Sequence, residues 1–249
     1  MTKPFVLVHG FACDHTDWRL QAAHFSKDHR VLAPDLRGHG ANSAAPADCS
    51  IETYGADVAA LLEKSGLRDA VLVGHSMGCR VVLQAYLDAP QRVGALALVD
   101  GSWPGGGDPA AVERASREAI EKLGYVNVAR GMFNEMFLAP SPLGAAIVER
   151  ALKLPEAVGA ALFPRMQRWG AAHTEQALQK VDVPLLVVQS TYLDPQRKRV
   201  PLKAGETSPW LDLVRRTVPG ARIEIVPGVG HFPQLEAPEQ VNKLLSSLV

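Results

Sequence analysis

The chain has 249 residues, 47% of them hydrophobic, which is enough for one domain with a large buried core, with or without an inserted cap. Its 26 basic and 26 acidic residues balance, so no net field attracts nucleic acid, anionic lipid or a polyanionic substrate. We therefore expect a small-molecule substrate that is neutral or singly charged, no nucleic-acid or membrane partner, and a monomer or a homodimer.

The cysteines and the N-terminal segment indicate the compartment. Cys13, Cys49 and Cys79 are scattered without paired spacing, which favours neither a disulfide framework nor a zinc site. The apolar run that follows Pro4 has only a few residues, too short for a signal peptide or a membrane span. We expect a cytoplasmic protein.

Strands and helices are predicted to alternate through the first hundred residues. Short apolar runs predict buried strands at 5–8, 30–35, 70–74 and 93–99. Apolar spacing and helix-ending residues such as Gly66 predict helices between them at 17–29, 51–65 and 77–89. This alternation is typical of a doubly wound, mostly parallel α/β sheet.

The pattern changes in the middle of the chain and then resumes. Residues 101–179 read as helical segments broken by glycines and prolines, with no convincing strand, which predicts an inserted helical cap. Further elements are then predicted in the order strand, helix, strand, helix, at 183–188, 210–217, 222–226 and 238–248. The predicted organisation is an α/β core formed by 1–100 and 180–249, with the cap at 101–179.

The sequence Gly-x-Ser-x-Gly at 74–78 lies where a buried strand turns directly into a helix. Such a turn has no room for side chains at the glycine positions, and it displays the hydroxyl of Ser76 in a strained conformation. The Met77 amide at the helix start and the Phe11 amide after the first strand are the expected donors to an oxyanion. Ser76 is the predicted nucleophile.

A serine nucleophile needs a base that is held in turn by an acid. His231 follows the last strand in a glycine-containing loop, which brings an imidazole to the carboxyl edge of the sheet. Two residues compete for the acid. Asp100 ends the strand after the nucleophile helix, and Asp194 follows the strand predicted near 183–190.

With these residues assembled, the chain resembles the α/β-hydrolase fold superfamily, in its cap-bearing esterase, lactonase and C–C hydrolase branch. The resemblance covers essentially the whole chain and rests on four motifs in the family's order: His9-Gly10-Phe11, Asp35-Leu36-Arg37-Gly38-His39-Gly40, Gly74-His75-Ser76-Met77-Gly78 and Gly230-His231. It implies a Ser-His-Asp triad and no cofactor.

The departure from the family pattern concerns the acid. The family usually places it a few residues beyond a glycine after the penultimate strand, but Ser190 replaces that glycine and Asp194 comes one residue late. Some members use an acid at the position of Asp100 instead. We favour Asp100, because Arg197, Lys198 and Arg199 follow Asp194 and make it a surface partner for basic side chains.

The remaining candidates are assigned as follows. Trp103, Phe137 and Trp169 of the cap are expected to line a hydrophobic cleft for the substrate. No metal site is expected, because the histidines show no paired ligand spacing. His39 is expected to be structural in a tight turn, and Cys79 to be a small buried side chain.

The predicted function is hydrolysis of a small, largely apolar carboxylic ester or lactone through an acyl-enzyme, without a cofactor. Cofactor-free oxygenation or C–C hydrolysis on the same fold is the alternative enzyme hypothesis. A catalytically silent binder of small molecules is the non-enzymatic one.

Overall fold

In the computed structural model, which describes residues 2–194, 196 and 198–249, a six-stranded parallel sheet forms the centre of the fold. The strands of the chain are β1 (Phe5–Val8), β2 (Val31–Leu32), β3 (Ala70–His75), β4 (Val93–Val99), β5 (Leu185–Gln189), β6 (Thr191–Leu193), β7 (Arg199–Pro201) and β8 (Arg222–Ile225). The sheet order is β2-β1-β3-β4-β5-β8. The strands β6 and β7 pair separately as an antiparallel ribbon.

Helices connect the strands and cover both faces of the sheet. The α-helices are α1 (Arg19–Phe25), α2 (Ile51–Lys64), α3 (Met77–Asp88), α4 (Pro109–Leu123), α5 (Tyr125–Asn134), α6 (Pro142–Ala151), α7 (Glu156–Gln179), α8 (Pro209–Thr217), α9 (Pro233–Glu236) and α10 (Pro238–Leu245). Short 3-10 turns lie at His15–Trp18, Pro46–Asp48, Pro90–Arg92 and Ser246–Leu248. The α/β class and the mostly parallel sheet are thus as predicted.

Alternation along the strands divides the core into two layers. On β1, Val6 and Val8 pack into the cluster that contains α2 and α3, whereas Phe5 and Leu7 pack into the cluster that contains α1 and α10. Successive side chains of a strand point to opposite faces, so a strand that is apolar throughout needs a cover on both sides. At the sheet centre, β3 is fully buried and β4 is buried except at Gly94, so both meet this condition.

Some predicted boundaries differ from the structure. The strand predicted at 30–35 is reduced to the two residues of β2, which are half-buried, because β2 is an edge strand with one neighbour. The predicted helix at 17–29 is a 3-10 turn followed by α1. The ribbon of β6 and β7 was not predicted. Its three-residue strands carry too few side chains for a readable alternation.

Between β4 and β5, where every residue is described, the chain forms α4 to α7 and no strand. We call residues 101–179 the cap. The prediction that prolines interrupt the helices of this segment is wrong for Pro164, which lies inside α7. Pro142 occupies the first turn of α6, where a missing N–H costs little. That the cap forms a separate domain stays a prediction.

Within the described residues, none of the helices combines the length and the hydropathy needed to cross a bilayer.

Leu72 and Leu87 provide a matched test of the sheet centre. Leu72 on β3 is fully buried, whereas Leu87 at the end of α3 is 38% exposed. We expect Leu72→Ala to lower the free energy of unfolding by about 2–5 kcal/mol through lost burial and an unfilled cavity. Leu87→Ala is expected to cost less than about 1 kcal/mol. Urea unfolding followed by circular dichroism measures both, and equal losses would contradict the assignment of β3 to the core.

Candidate active site

Ser76 lies between the last residue of β3 and the first residue of α3, at the carboxyl edge of the sheet. Its backbone has φ +54° and ψ −114°, a strained conformation for a residue with a Cβ. A Cβ on Gly74 would overlap the main chain of Gly78, and a Cβ on Gly78 would overlap the Val8 carbonyl. The two glycines are therefore required by the close approach of β3, α3 and β1, and the turn they permit exposes the Ser76 side chain.

The structure brings Ser76, His231 and Asp100 into one hydrogen-bonded chain. The Nε2 atom of His231 lies 2.9 Å from the Ser76 Oγ, and its Nδ1 atom lies 2.5 Å from the Asp100 Oδ2. Asp100 is fully buried and His231 is 1% exposed, whereas Ser76 is partly exposed. The Ser76 hydroxyl thus faces the cleft, while the His231 imidazole and the Asp100 carboxylate behind it are shielded from water.

Asp100 ends β4 in a left-handed backbone conformation, φ +46°, and its carboxylate is surrounded by donors. The amides of Ser190 and Thr191 donate to Oδ1 at 2.7 and 2.9 Å, and the Thr191 hydroxyl donates to Oδ2 at 2.5 Å. Burial alone would raise the pKa of Asp100, but His231, the Arg199 charge and Thr191 together hold it below its ordinary value. The acid is therefore ionised at neutral pH.

Asp194, the competing acid, is engaged elsewhere. Its Oδ1 accepts the amide N–H groups of Gln196 and Lys198, at 3.0 and 2.8 Å, in the turn between β6 and β7. Arg199 does not pair with it but lies 3.5 Å from Asp100, and Arg197 lies outside the described residues. The geometry brings Asp100, and not Asp194, to the histidine.

The electrostatics of His231 suit a proton acceptor. Burial and the nearby charge of Arg199 lower the pKa of His231 to about 4, although the hydrogen bond to Asp100 acts in the opposite direction. The imidazole is therefore neutral at pH 7. With Nδ1–H donated to the carboxylate, Nε2 is left to accept the Ser76 proton.

The loop that carries His231 is held from several sides. Glu236 accepts the amides of Gly230 and Phe232 at 3.0 and 3.2 Å. The His231 amide donates to the Met136 carbonyl in the cap at 2.7 Å. These bonds fix the position of the base relative to both the core and the cap.

A second histidine holds the same loop from the core. His75, next to Ser76, donates its Nε2–H to the His231 carbonyl at 2.7 Å. Burial and the neighbouring His231 hold the pKa of His75 well below its ordinary value, so this ring stays neutral.

The predicted oxyanion donors Phe11 and Met77 both line the cleft beside Ser76. In the described part of the chain, neither amide N–H donates to a protein acceptor. The loop that carries Phe11 is fixed from behind, because the next amide, that of Ala12, donates to the His39 Nε2 at 3.2 Å. His39 therefore has the structural position that the sequence predicts, and the two amides can receive a developing negative charge.

The cleft above Ser76 is mainly apolar. Its apolar wall combines the oxyanion loop, the cap and the residue after His231: Phe11, Met132, Phe133, Phe163, Met166 and Phe232. The polar groups that line it are Arg80, Ser102, Glu135, Gln167 and Arg199, together with Ser76, His75 and His231. The sequence did not single out Arg80 or the Asp100 donors.

The cleft does not include the three cap aromatics that the sequence predicts for it. Trp169 is 1% exposed and donates its indole N–H to the Gln84 side chain, so it faces the core below α7. Phe137 stacks on Phe232 and lines a separate surface groove. Trp103 packs against the core cluster without lining the cleft. For Trp169 this correction follows from the orientation of α7, which places Phe163 at the cleft instead, whereas Trp103 and Phe137 lie in the segments before α4 and after α5.

Cys79, one turn along α3, does not compete as a nucleophile. Its thiol is buried and donates to the Gly74 carbonyl at 3.1 Å, and burial raises its pKa. Over residues 2–194, 196 and 198–249, no three side chains of His, Cys, Asp or Glu converge as metal ligands.

Comparison with known proteins gives the following matches. The model of the alpha/beta hydrolase family matches residues 5–244. A non-heme chloroperoxidase from Streptomyces lividans is 31% identical over 82% of this chain and 81% of its own. The dihydrolipoyllysine-residue acetyltransferase component of the acetoin cleaving system from Pseudomonas putida is 28% identical over 96% of this chain. The match spans only 61% of that longer protein.

Solved structures agree in fold. A thermophilic esterase from Thermogutta terrifontis has a TM-score of 0.79 and 25% identity, covering 99% of this chain and 89% of its own. Est816, described as an N-acyl homoserine lactone degrading enzyme, also has a TM-score of 0.79, with 24% identity over 100% of this chain and 94% of its own.

Replacing each candidate acid separately tests the hydrogen-bonded series of Ser76, His231 and Asp100. We expect Asp100→Asn to slow the reaction of Ser76 with an organophosphonate by about a thousandfold or more, because His231 loses its orienting carboxylate. Asp194→Asn, the matched control, is expected to react within about threefold of wild type. The second-order rate constant of labelling measures both. A slow Asp194→Asn with a normal Asp100→Asn would reverse the assignment.

The lowered pKa of His231 predicts the acidic limit of reactivity. The base acts only when neutral, so the labelling rate of Ser76 should fall as the pH drops through about 4. Arg199→Gln removes a charge that lowers this pKa and should move the midpoint upward, whereas Arg199→Lys should keep it near wild type. A wild-type midpoint at or above the ordinary value of 6.5 would contradict this account.

Proposed function

Because the chain belongs to the alpha/beta hydrolase family, we propose that it is a serine hydrolase that cleaves a small, largely apolar carboxylic ester or lactone. The observation that carries the proposal is the position of His231 between the Ser76 hydroxyl, at 2.9 Å, and the buried Asp100 carboxylate, at 2.5 Å. A neutral imidazole next to a partly exposed hydroxyl, with an ionised acid behind it, suits acyl transfer.

In the first half of the proposed reaction, Ser76 attacks the carbonyl carbon of the substrate while His231 takes the hydroxyl proton at Nε2. Asp100 stays ionised and stabilises the imidazolium that forms. The amides of Phe11 and Met77 donate to the oxyanion, and the N-terminus of α3 adds its dipole. Each such donor contributes about 3–4 kcal/mol to transition-state stabilisation in enzymes of this kind.

In the second half, His231 returns its proton to the leaving alcohol, and the Ser76 ester remains as an acyl-enzyme. A water molecule then attacks this ester while His231 again accepts a proton. The carboxylate product leaves, and Ser76 regains its hydroxyl. The steps use side chains and amides of the chain alone.

Two further observations support esters or lactones as the substrate class. The cleft wall consists largely of aromatic and methionine side chains, which suits an apolar acyl or alcohol part. Solved structures with the same fold include an esterase from Thermogutta terrifontis and an enol-lactonase from Burkholderia xenovorans LB400.

Cofactor-free oxidation is the second candidate function. We include it because a non-heme chloroperoxidase from Streptomyces lividans is 31% identical to this chain. The test supplies the protein with peroxide, a halide and a 1,3-diketone, whose acidic C–H carbon can be halogenated. A rate of halogenation above the rate of ester hydrolysis would favour this second candidate over the first.

Removing the Ser76 hydroxyl tests the nucleophile. We expect Ser76→Ala to lower turnover of p-nitrophenyl esters by about four orders of magnitude or more, and to abolish labelling by an organophosphonate. The matched control is Ser43→Ala, because Ser43 is exposed in a loop. Persistent labelling in Ser76→Ala would overturn the assignment. A panel of esters and lactones of graded chain length, assayed with wild type, measures the acyl preference.

A further inference from the structure

The Phe11 amide belongs to a tight turn that contains a strained residue. The Cys13 amide donates to the Gly10 carbonyl across this turn at 3.4 Å, longer than an ordinary N–H···O bond. Ala12, at its centre, has φ +54°, a left-handed conformation that is unfavourable for a residue with a Cβ. We call residues 10–13 the oxyanion turn. Because a strained turn keeps its shape only when its surroundings hold it, the position of the Phe11 amide depends on contacts from outside the turn.

The core holds the middle of the oxyanion turn. The Ala12 amide donates to the Nε2 atom of His39 at 3.2 Å, and the Nδ1–H of His39 donates to the Arg37 carbonyl at 3.0 Å. Burial lowers the pKa of His39 to about 4, so the ring is neutral and its Nε2 can accept. This contact restrains one amide of the turn.

The end of the oxyanion turn meets a buried carboxylate. The Cys13 thiol forms a hydrogen bond with the side chain of Asp17. Asp17 is fully buried, and burial raises its pKa, because the charged form is disfavoured away from water. A buried carboxylate needs a charged partner to keep its place.

The cap supplies that partner. The Nη2 atom of Arg150 on α6 donates to the Asp17 carboxylate. Its Nη1 atom donates to the Thr16 hydroxyl at 2.7 Å and to the Asp14 carboxylate at 3.3 Å. Asp14 in turn caps the 3-10 turn at His15–Trp18 by accepting the Thr16 amide at 2.9 Å. One planar guanidinium thus binds three side chains of the segment that directly follows the oxyanion turn.

A second arginine of the cap is a natural control, because it also joins the cap to the core. The Nη1 atom of Arg165 on α7 donates to the carbonyls of Pro46, Ala47 and Cys49, at 2.9, 3.3 and 3.2 Å. These carbonyls belong to residues 46–49, a fully described segment that does not line the cleft. Arg150 and Arg165 therefore differ in whether the segment they hold leads to the oxyanion turn.

Resting on the proposed function, we propose that Arg150 is a positioning residue, which acts through Asp17 to hold the oxyanion turn so that the Phe11 amide points at the substrate oxygen. Arg150 takes no part in bond making or proton transfer. A donor to an oxyanion contributes most when charge develops on the substrate oxygen. Its displacement therefore weakens binding of the transition state and leaves binding of the substrate nearly unchanged.

Replacement of Arg150 tests this assignment. Complete loss of one oxyanion donor lowers kcat by about 10²–10³. We expect Arg150→Gln, which displaces the donor, to lower kcat for p-nitrophenyl butyrate at least about tenfold, with KM within about threefold of wild type. A propyl trifluoromethyl ketone gives a second measurement, because its adduct with Ser76 carries a negative oxygen in place of the substrate oxyanion. Its inhibition constant should rise by about the factor by which kcat falls.

Control variants separate positioning from folding. Arg165→Gln removes the other tie of the cap and should keep kcat within about threefold of wild type. Arg150→Lys keeps the charge without the fork, and its kcat should lie between those of wild type and Arg150→Gln. The double variant Asp17→Asn/Arg150→Leu removes the buried carboxylate together with its partner, so no unpaired charge is left, and it should show the same loss of kcat. Thermal unfolding followed by circular dichroism reports the fold of each variant.

The pH profile shows whether the loss of kcat comes from the oxyanion side or from the base. The pKa of His231 is set by burial, Arg199 and Asp100. The midpoint of Ser76 labelling against pH should therefore be the same in Arg150→Gln as in wild type. A midpoint that moves together with kcat would assign Arg150 to the base and overturn the proposal.

The remaining outcomes distinguish this inference from the proposed function. Equal losses of kcat in Arg150→Gln and Arg165→Gln would indicate general docking of the cap and overturn the positioning role. A loss confined to KM, or wild-type kcat in both Arg150→Gln and the double variant, overturns it equally, while the serine hydrolase stands. If wild type cleaves no ester and Ser76 is not labelled, the proposed function fails and this inference fails with it.

Discussion

The 2.5 Å hydrogen bond between Asp100 and His231 is the interaction on which the rest of the site depends. It joins the end of β4 to the loop after β8, two elements that are 131 residues apart in the chain. A buried carboxylate is costly unless its oxygens are satisfied. The amides and hydroxyls after β5 meet that requirement, together with Arg199. The order of β4, β5 and β8 in the sheet brings all these groups to one edge.

The cap is bonded to residues of the candidate active site and does more than cover them. The Met136 carbonyl accepts the His231 amide. Arg150 of α6 forms ion pairs with Asp14 and Asp17, which follow the loop that carries the Phe11 amide. The His231 loop is thus tied to the cap segment between α5 and α6, and the segment that follows Phe11 is tied to α6. Movement of the cap would change the distances on which proton transfer depends.

The cleft combines an apolar wall with the cationic side chains of Arg199 and Arg80. Arg199 is balanced by Asp100 and Glu135 and contributes to the electrostatics of His231. Arg80 donates to the Met166 and Ser102 carbonyls and lies beneath Gly170. The balanced net charge of the whole chain gives no sign of this local polarity.

The sequence by itself determined the parallel sheet and the elbow at Ser76, and it predicted His231 as the candidate base, because short apolar strands and glycine-flanked turns are set by local sterics. Only the tertiary structure shows that Asp100, and not Asp194, lies within hydrogen-bond distance of His231. The Asp194 carboxylate instead accepts a hydrogen bond in the turn of the short ribbon formed by β6 and β7. A local sequence pattern does not encode this ribbon. The cleft wall was decided in the same way. Whether Trp169 or Phe163 lines the cleft depends on how α7 packs on the core, a long-range property.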